Sequence, residues 1–306
     1  MIRLEHVSKS YGSTAALREV TLHIRPGEIM GLVGPDGAGK TTLLRLITGV
    51  LSGYDGSITV GGTMDKKQYI PSMAYVPQRF SLYKDMTVME NIRLMGALYG
   101  VAEKDIEERA AYSLTFTGLY PFRDRLAGKL SGGMKQKLAL SAAILHTPKL
   151  FILDEPTTGV DPNARREFWQ LLYELNRQGM TILAATPYMD EAALCHRIAL
   201  MWEGTILRCA SPKELLASYP YTVLSFPSDD RRMARRLAGC YFHDIQPFGN
   251  SYRLITDDPE QTTASVLARF QELSLPLPAL TTAAPTLEDV FLLHTDKRGE
   301  SYGSHH

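Results

Sequence analysis

The sequence predicts an α/β fold: a mixed sheet with flanking helices, followed by a small ferredoxin-like α+β unit. Strand-length apolar runs alternate with helix-length segments through the first two thirds of the chain. That order winds a parallel sheet with right-handed crossovers. The run "KLFILDEP" is apolar without alternation, as a strand covered on both faces must be. A glycine-rich turn joins one such strand directly to a helix.

The elements follow in order. "MIRLEHVSKSY" and "LREVTLHIRPGEIMGLVG" read as strands separated by turns. "KTTLLRLITGV" reads as a helix, "GSITVGG" as a strand and "MAYVPQ" as a short strand. From Asp85 to about Ala143 the pattern is helical, and Thr87 and Glu90 stand at capping-box spacing. "ARREFWQLLYELNRQG" is a helix stopped by Gly179, and "MTILAAT" is a further buried strand. The first domain is expected over residues 1–218, with a helical subdomain over about 79–147. Residues 219–293 then give strand and helix patterns in the order β-α-β-β-α-β, with "PTLEDVFLLH" as a closing helix. A loose polar tail is expected over 294–306.

Composition narrows the class. The chain has 306 residues, 44% hydrophobic and 22% charged, as an ordinary globular protein has. Lys+Arg and Asp+Glu number 33 each, so no charge surplus points to nucleic acid and none is expected as a partner. Cys195, Cys209 and Cys240 form no C-x-x-C pair, which suits a reducing compartment without a metal knuckle. The start does not read as a secretory signal. No apolar run reaches the roughly 18 residues of a membrane span, so a membrane role needs another polypeptide.

Three motifs carry chemistry. Gly34, Gly39, Lys40 and Thr41 satisfy G-x-x-x-x-G-K-[ST] between a strand and a helix, with Pro35, Asp36, Gly37 and Ala38 inside the turn and Thr42 after it. The glycines let backbone N–H groups wrap phosphate oxygens, and the helix N-terminus adds its dipole. Lys40 is expected on the β- and γ-phosphates of ATP and Thr41 on Mg²⁺. Asp154 and Glu155 end the apolar strand. Asp154 is expected to hold Mg²⁺, and Glu155 to polarise an attacking water. In "LSGGMKQK", Ser131 is a natural N-cap, and Gly132 and Gly133 expose the amides of the first helical turn. A second phosphate-binding helix end makes sense when two such domains pair head to tail.

The order "GPDGAGKTT", "YVPQ", "LSGGMKQK", "LDEPTTGVDP" resembles the nucleotide-binding domain of ABC transporters over about residues 1–218. The resemblance implies ATP and Mg²⁺ as cofactors and ATP hydrolysis as the activity. It implies that Tyr11 stacks on adenine and that Gln78 links Mg²⁺ and the attacking water to the helical subdomain. Asp161, in the loop called the D-loop, is implied to cross to a second cassette. "PTLEDVFL" and "DMTVMENI" resemble more narrowly the drug-exporter type, in particular the first ATPase half of YbhF-type exporter subunits. Those chains carry two cassettes and this sequence has one. The second cassette is therefore expected as another copy, a separate chain or a fused half. Permease subunits are implied as membrane partners, with the cassette on the cytoplasmic face of a bacterial inner membrane.

One position departs from the pattern. The family presents a histidine to the γ-phosphate after the strand "TILAAT", and here Pro187 fills that slot. Proline has neither a side-chain donor nor a backbone N–H. His196 lies nine residues on, and a helical "YMDEAALC" would place it roughly 13 Å away. The expectation is a cassette that binds Mg·ATP well and completes γ-phosphate chemistry slowly. Two other readings stand beside it: a soluble ABC ATPase acting on ribosomes or DNA, and a non-hydrolytic ATP-binding regulator.

Overall fold

The structure, a computed structural model, describes residues 1–296; the expected polar tail lies outside the described residues from position 297 on. The chain forms two compact units, Met1–Ser211 and a second that starts at Pro212.

The first unit runs β1 (Ile2–Tyr11), β2 (Thr14–Ile24), β3 (Ile29–Val33), α1 (Lys40–Ile47), β4 (Asp55–Val60), α2 (Lys66–Tyr69) and β5 (Met73–Val76). It continues with α3 (Val88–Leu98), α4 (Glu103–Phe116), α5 (Gly132–Ile144), β6 (Leu150–Asp154), α6 (Pro162–Arg177), β7 (Thr181–Thr186), α7 (Met189–Ala192), β8 (Arg197–Trp202) and β9 (Thr205–Ala210). β1, β2 and β4 make a three-stranded antiparallel sheet. The other strands make a six-stranded sheet in the order β5-β6-β7-β3-β8-β9, parallel except for the β8–β9 hairpin.

β3, β6 and β7 are buried at every residue, which is why their sequences lack alternation. Their register sets up the site. Val33 pairs with Thr186, and Asp154 pairs with Ala185. The loops that begin at Gly34, Glu155 and Pro187 therefore leave one edge of the sheet side by side. The carboxyl edge of a parallel sheet is where such folds place ligands.

Helices α3, α4 and α5 pack around Val88, Ile92, Ala110, Leu114, Leu138 and Ala142. The Thr87–Glu90 capping box forms, with Glu90 accepting from the Thr87 N–H at 2.7 Å. Leu82 belongs to this core, so of the apolar segment after Gln78 only part faces outward.

The expected helix over "YMDEAALC" is a single turn, α7. The chain then drops back, burying Cys195 where Gly31 has no side chain; a Cβ there would stand 2.9 Å from its Sγ. His196 is delivered to the start of β3, where its N–H donates to the Ile29 carbonyl at 2.9 Å.

The second unit runs α8 (Pro212–Ala217), β10 (Thr222–Pro227), α9 (Met233–Arg236), β11 (Asp244–Phe248), β12 (Ser251–Thr256), α10 (Pro259–Glu272), β13 (Thr281–Ala283) and α11 (Leu287–Asp296). Its sheet order, β11-β12-β10-β13, is antiparallel throughout, the arrangement of a β-α-β-β-α-β ferredoxin-like unit. Leu224, Phe226, Leu254, Val266 and Phe270 fill its core. Arg253 and Asp289, both buried, pair at 2.9 Å.

Candidate nucleotide site

Two glycines of the turn after β3 are dictated by close approach. A Cβ on Gly34 would lie 2.1 Å from the Met201 carbonyl oxygen. Gly39 has φ 101°, and a Cβ there would lie 2.6 Å from the Ala16 carbonyl oxygen. Ala38 is buried and its N–H closes the turn on the Pro35 carbonyl at 3.2 Å, while Asp36 and Gly37 are exposed at the crest. Gly39 leads into α1 without a side-chain cap, so the first amides of α1 have no side-chain acceptor.

Lys40 opens α1, and its buried ammonium donates to the Gly34 and Pro35 carbonyls at 2.7 and 2.9 Å. It also pairs with Glu155 at 3.2 Å. Thr41 donates its hydroxyl to Asp154 Oδ1 at 2.9 Å, and Tyr75 donates to Oδ2 at 3.2 Å. Gln78 Nε2 donates to Glu155 Oε2 at 2.9 Å, and Thr158 reaches the same oxygen at 3.4 Å. Thr42 follows on α1, half-buried. The register of the sheet thus brings Lys40, Thr41, Gln78, Asp154 and Glu155 into one cluster.

Burial pushes the Asp154 carboxyl up, against the hydroxyls that hold it down. Burial, then the Asp154 charge, pushes the Tyr75 hydroxyl up to about 12, so it remains a donor at neutral pH. Glu155 holds φ 48°, a left-handed backbone that costs a non-glycine residue roughly 1–2 kcal/mol. The Glu155 N–H bond to the Ala185 carbonyl at 2.9 Å fixes it there.

The cluster sets the Lys40 ammonium against two buried carboxylates, and the Arg45 charge on α1 acts on Asp154 as well. The oxygens that would face a cation are hard ones, Thr41 Oγ1 and Asp154 Oδ1, which here hydrogen-bond each other. Mg²⁺ takes one or two protein oxygens plus phosphate and water, and this set fits it. Among the described residues no group of three or more His, Cys, Asp or Glu is placed to hold a metal ion.

Tyr11, Ser131–Gly133 and Asp161 are joined to this cluster by no hydrogen bond or ion pair among the described residues. Tyr11 ends β1, 49% exposed, with Lys9 Nζ 5.4 Å from its ring centre. Ser131 caps α5, accepting from the Met134 N–H at 3.3 Å. Gly133 has a second reason to be glycine: a Cβ would lie 2.7 Å from Ala164 Cβ, at the contact of α5 with α6. Asp161 caps α6, accepting from the Ala164 N–H at 3.0 Å.

Pro187 follows β7 in a firmly held loop. The Tyr188 N–H donates to Thr186 Oγ1 at 3.1 Å. Glu191, 1% exposed, accepts from the Thr157 and Thr186 hydroxyls, and Arg165 lies 3.3 Å from it. Arg165 also stacks over the Tyr188 ring at 4.2 Å. His196 is no substitute, because its Nδ1 accepts from the Ile29 N–H at 3.0 Å. Ile29 starts β3, and the phosphate turn follows Val33 at the other end, about 13 Å along the strand.

The comparisons with known proteins bear on this geometry. A family model described as ABC transporter matches residues 17–158. Nod factor export ATP-binding protein I of Burkholderia thailandensis is 34% identical over 306 residues, covering 97% of this chain and 97% of that one. The chain belongs to the ABC transporter ATP-binding family. This ABC cassette is also similar to the probable multidrug ABC transporter ATP-binding protein YbhF of Escherichia coli K12, 46% identical over 219 residues. That match covers 70% of this chain and spans only 38% of YbhF. Among solved structures, cbiO1 of Clostridium perfringens, part of the ABC transporter complex cbiONQ, superposes with a TM-score of 0.66 at 28% identity, covering 71% of this chain and 90% of that one. A dimeric cassette in a post-hydrolysis state, bound to ADP and Pi, gives 0.64 at 26% identity, covering 69% and 98%. The cassette is an ATP-binding ATPase of this family. No helix among the described residues is long and apolar enough to cross a membrane.

Proposed function

We propose that this cassette is the ATP-binding subunit of an exporter, bound to the cytoplasmic face of a bacterial inner membrane. It binds Mg·ATP, pairs head to tail with a second cassette and drives amphiphiles out through separate permease chains. The observation that carries the reading is the convergence of Lys40, Thr41, Gln78, Asp154 and Glu155 at the end of the parallel sheet. The names of the relatives, a multidrug transporter protein and Nod factor exporters, support the direction of transport.

The roles follow from chemistry. Lys40 exchanges its carbonyl and carboxylate partners for the β- and γ-phosphate oxygens, a stronger set of acceptors. Thr41 and Asp154, with Gln78, would hold Mg²⁺, which would neutralise charge on those oxygens. Tyr11 offers its exposed ring to adenine. The amides of the turn, Gly34 through Thr42, cradle the phosphates. Glu155 accepts hydrogen bonding from the water that attacks the γ-phosphorus as the bond to the β–γ bridging oxygen breaks. Ser131, Gly132 and Gly133 present the start of α5 to the γ-phosphate of the second cassette, and Asp161 lies beside that interface.

Pro187 makes the pair unequal where the second cassette is a different chain or a fused half that carries the histidine. The site built on this chain's own Lys40 and Glu155 lacks a switch-loop donor, whereas the site completed by this chain's Ser131–Gly133 depends on the other cassette for that donor. The first requirement of the reading is nucleotide binding. Titration calorimetry of Lys40→Ala should give a greatly weakened Kd for ATP, because the point charge on the β/γ oxygens is gone. An unchanged Kd contradicts the assignment.

A further inference from the structure

Asp154 has a partner, the tyrosine of "YVPQ", to which the nucleotide motifs give no role. Tyr75 is the third residue of β5, the edge strand that runs parallel to β6. Its ring crosses toward the end of β6, and its hydroxyl donates to Asp154 Oδ2 at 3.2 Å. The other carboxylate oxygen takes the Thr41 hydroxyl at 2.9 Å. Asp154 is 1% exposed, so these two hydroxyls are its side-chain donors in a place water barely reaches.

The two donors are not equivalent. Thr41 stands on α1 and is itself an oxygen ligand offered to the cation. Tyr75 offers the cation nothing; its hydroxyl meets the far oxygen of Asp154 and the Arg45 side chain. That is the arrangement of a group that orients a ligating carboxylate from behind, leaving Oδ1 aimed at the turn. Loss of such a support typically lowers metal affinity by about 10–100-fold. Removing it also leaves Oδ2 buried without a donor, and the carboxylate then turns to recover one.

We propose that Tyr75 is the positioning residue for Asp154, so that the strengthening of ATP binding by a divalent cation depends on the Tyr75 hydroxyl. The proposal rests on the Mg·ATP reading above and extends it to a residue on the neighbouring strand. A tyrosine that only filled space would leave cation dependence untouched when its hydroxyl is removed.

The test compares Tyr75→Phe with the unaltered chain. The ring stays, and thermal unfolding checks that the fold does too. ATP affinity is measured calorimetrically with Mg²⁺ and again with EDTA. A non-hydrolysable ATP analogue with Mn²⁺, followed by electron paramagnetic resonance, gives the cation Kd directly. The expected result is an unchanged Kd in EDTA, a gain from Mg²⁺ reduced by about tenfold, and a Mn²⁺ Kd raised by a similar factor. Asp154→Asn should remove the gain altogether.

A Tyr75→Phe variant with the unaltered Mg²⁺-to-EDTA ratio overturns the proposal. Equal weakening with and without cation also overturns it, since that is the signature of disturbed packing. If the unaltered chain itself gains nothing from Mg²⁺, or Asp154→Asn changes nothing, the metal reading falls first and the Tyr75 proposal falls with it.

Discussion

His146 is a residue whose environment makes a measurable demand. It follows α5, with Nε2 3.0 Å from the Met73 carbonyl oxygen and its ring stacked on Tyr99 at 4.3 Å. Its Nδ1 is buried with no hydrogen-bond partner among the described residues. Burial lowers its pKa; the Met73 carbonyl opposes this, and the nearby Arg109 charge adds to it. The unfolded chain therefore takes up this proton first as pH falls. The stability contribution is complete above the unfolded value of about 6.5 and is lost as pH drops below it toward the lowered folded value. Calorimetry should give a lower Tm at pH 5.5 than at pH 7.5, with a smaller drop in His146→Gln. Equal drops would remove His146 as the cause. Residues differ in how far sequence reveals them. Lys40, Thr41 and Ser131 were legible because the turn or helix start that makes them useful is local. Tyr75 and Glu191 were not, because their partners, Asp154 and Thr157, lie 79 and 34 positions away. Pro187 was legible as an absence, and the clamp of Arg165 and Glu191 around its loop needed coordinates.

At the scale of elements, the permease contact we propose falls on the segment between β5 and α3. Asn91, fully buried on α3, holds it by both backbone groups of Tyr83, accepting from the N–H at 2.8 Å and donating to the carbonyl at 2.9 Å. Leu82 is thereby turned into the helical core, and Tyr83, 52% exposed, points out. Docking of a permease loop on this segment predicts position-specific disulfides. Tyr83→Cys should cross-link to a cysteine in that loop, and Leu82→Cys should not. A scan with no cross-link at Tyr83 in either nucleotide state counts against docking here. The elements with strong local signals matched their patterns: unalternating β6 and β7, the capped α3, and α6 ending just before Gly179. The shorter ones did not. α7 and α9 are single turns of four residues each, where longer helices read well on paper. In α7 the packing of Cys195 against Gly31 overrides propensity, and in α9 Arg236 turns back to Asp230 at 2.9 Å.

For the whole molecule the central claim is inequality: a cassette complete for binding, complete at the helix it offers to another cassette, and lacking one donor at its own γ-phosphate. The parallel sheet makes this possible, because it delivers turn, carboxylate and switch loop to one edge by register while leaving each loop free to vary. The direct test is phosphate release by purified Pro187→His beside the unaltered chain, alone and with a partner cassette. An imidazole that contacts the γ-phosphate as its charge redistributes acts on the transition state. One such contact is worth about 3 kcal/mol, on the order of a hundredfold in kcat. The clamp that Glu191 places on this loop holds the new side chain where β7 ends. The expected result is slow turnover by the unaltered chain, a large rise in kcat in Pro187→His with nearly constant ATP affinity, and loss of that rise when Glu155→Gln is added. Fast turnover by the unpartnered, unaltered chain that Glu155→Gln abolishes would contradict the account, since this site would then work without the histidine.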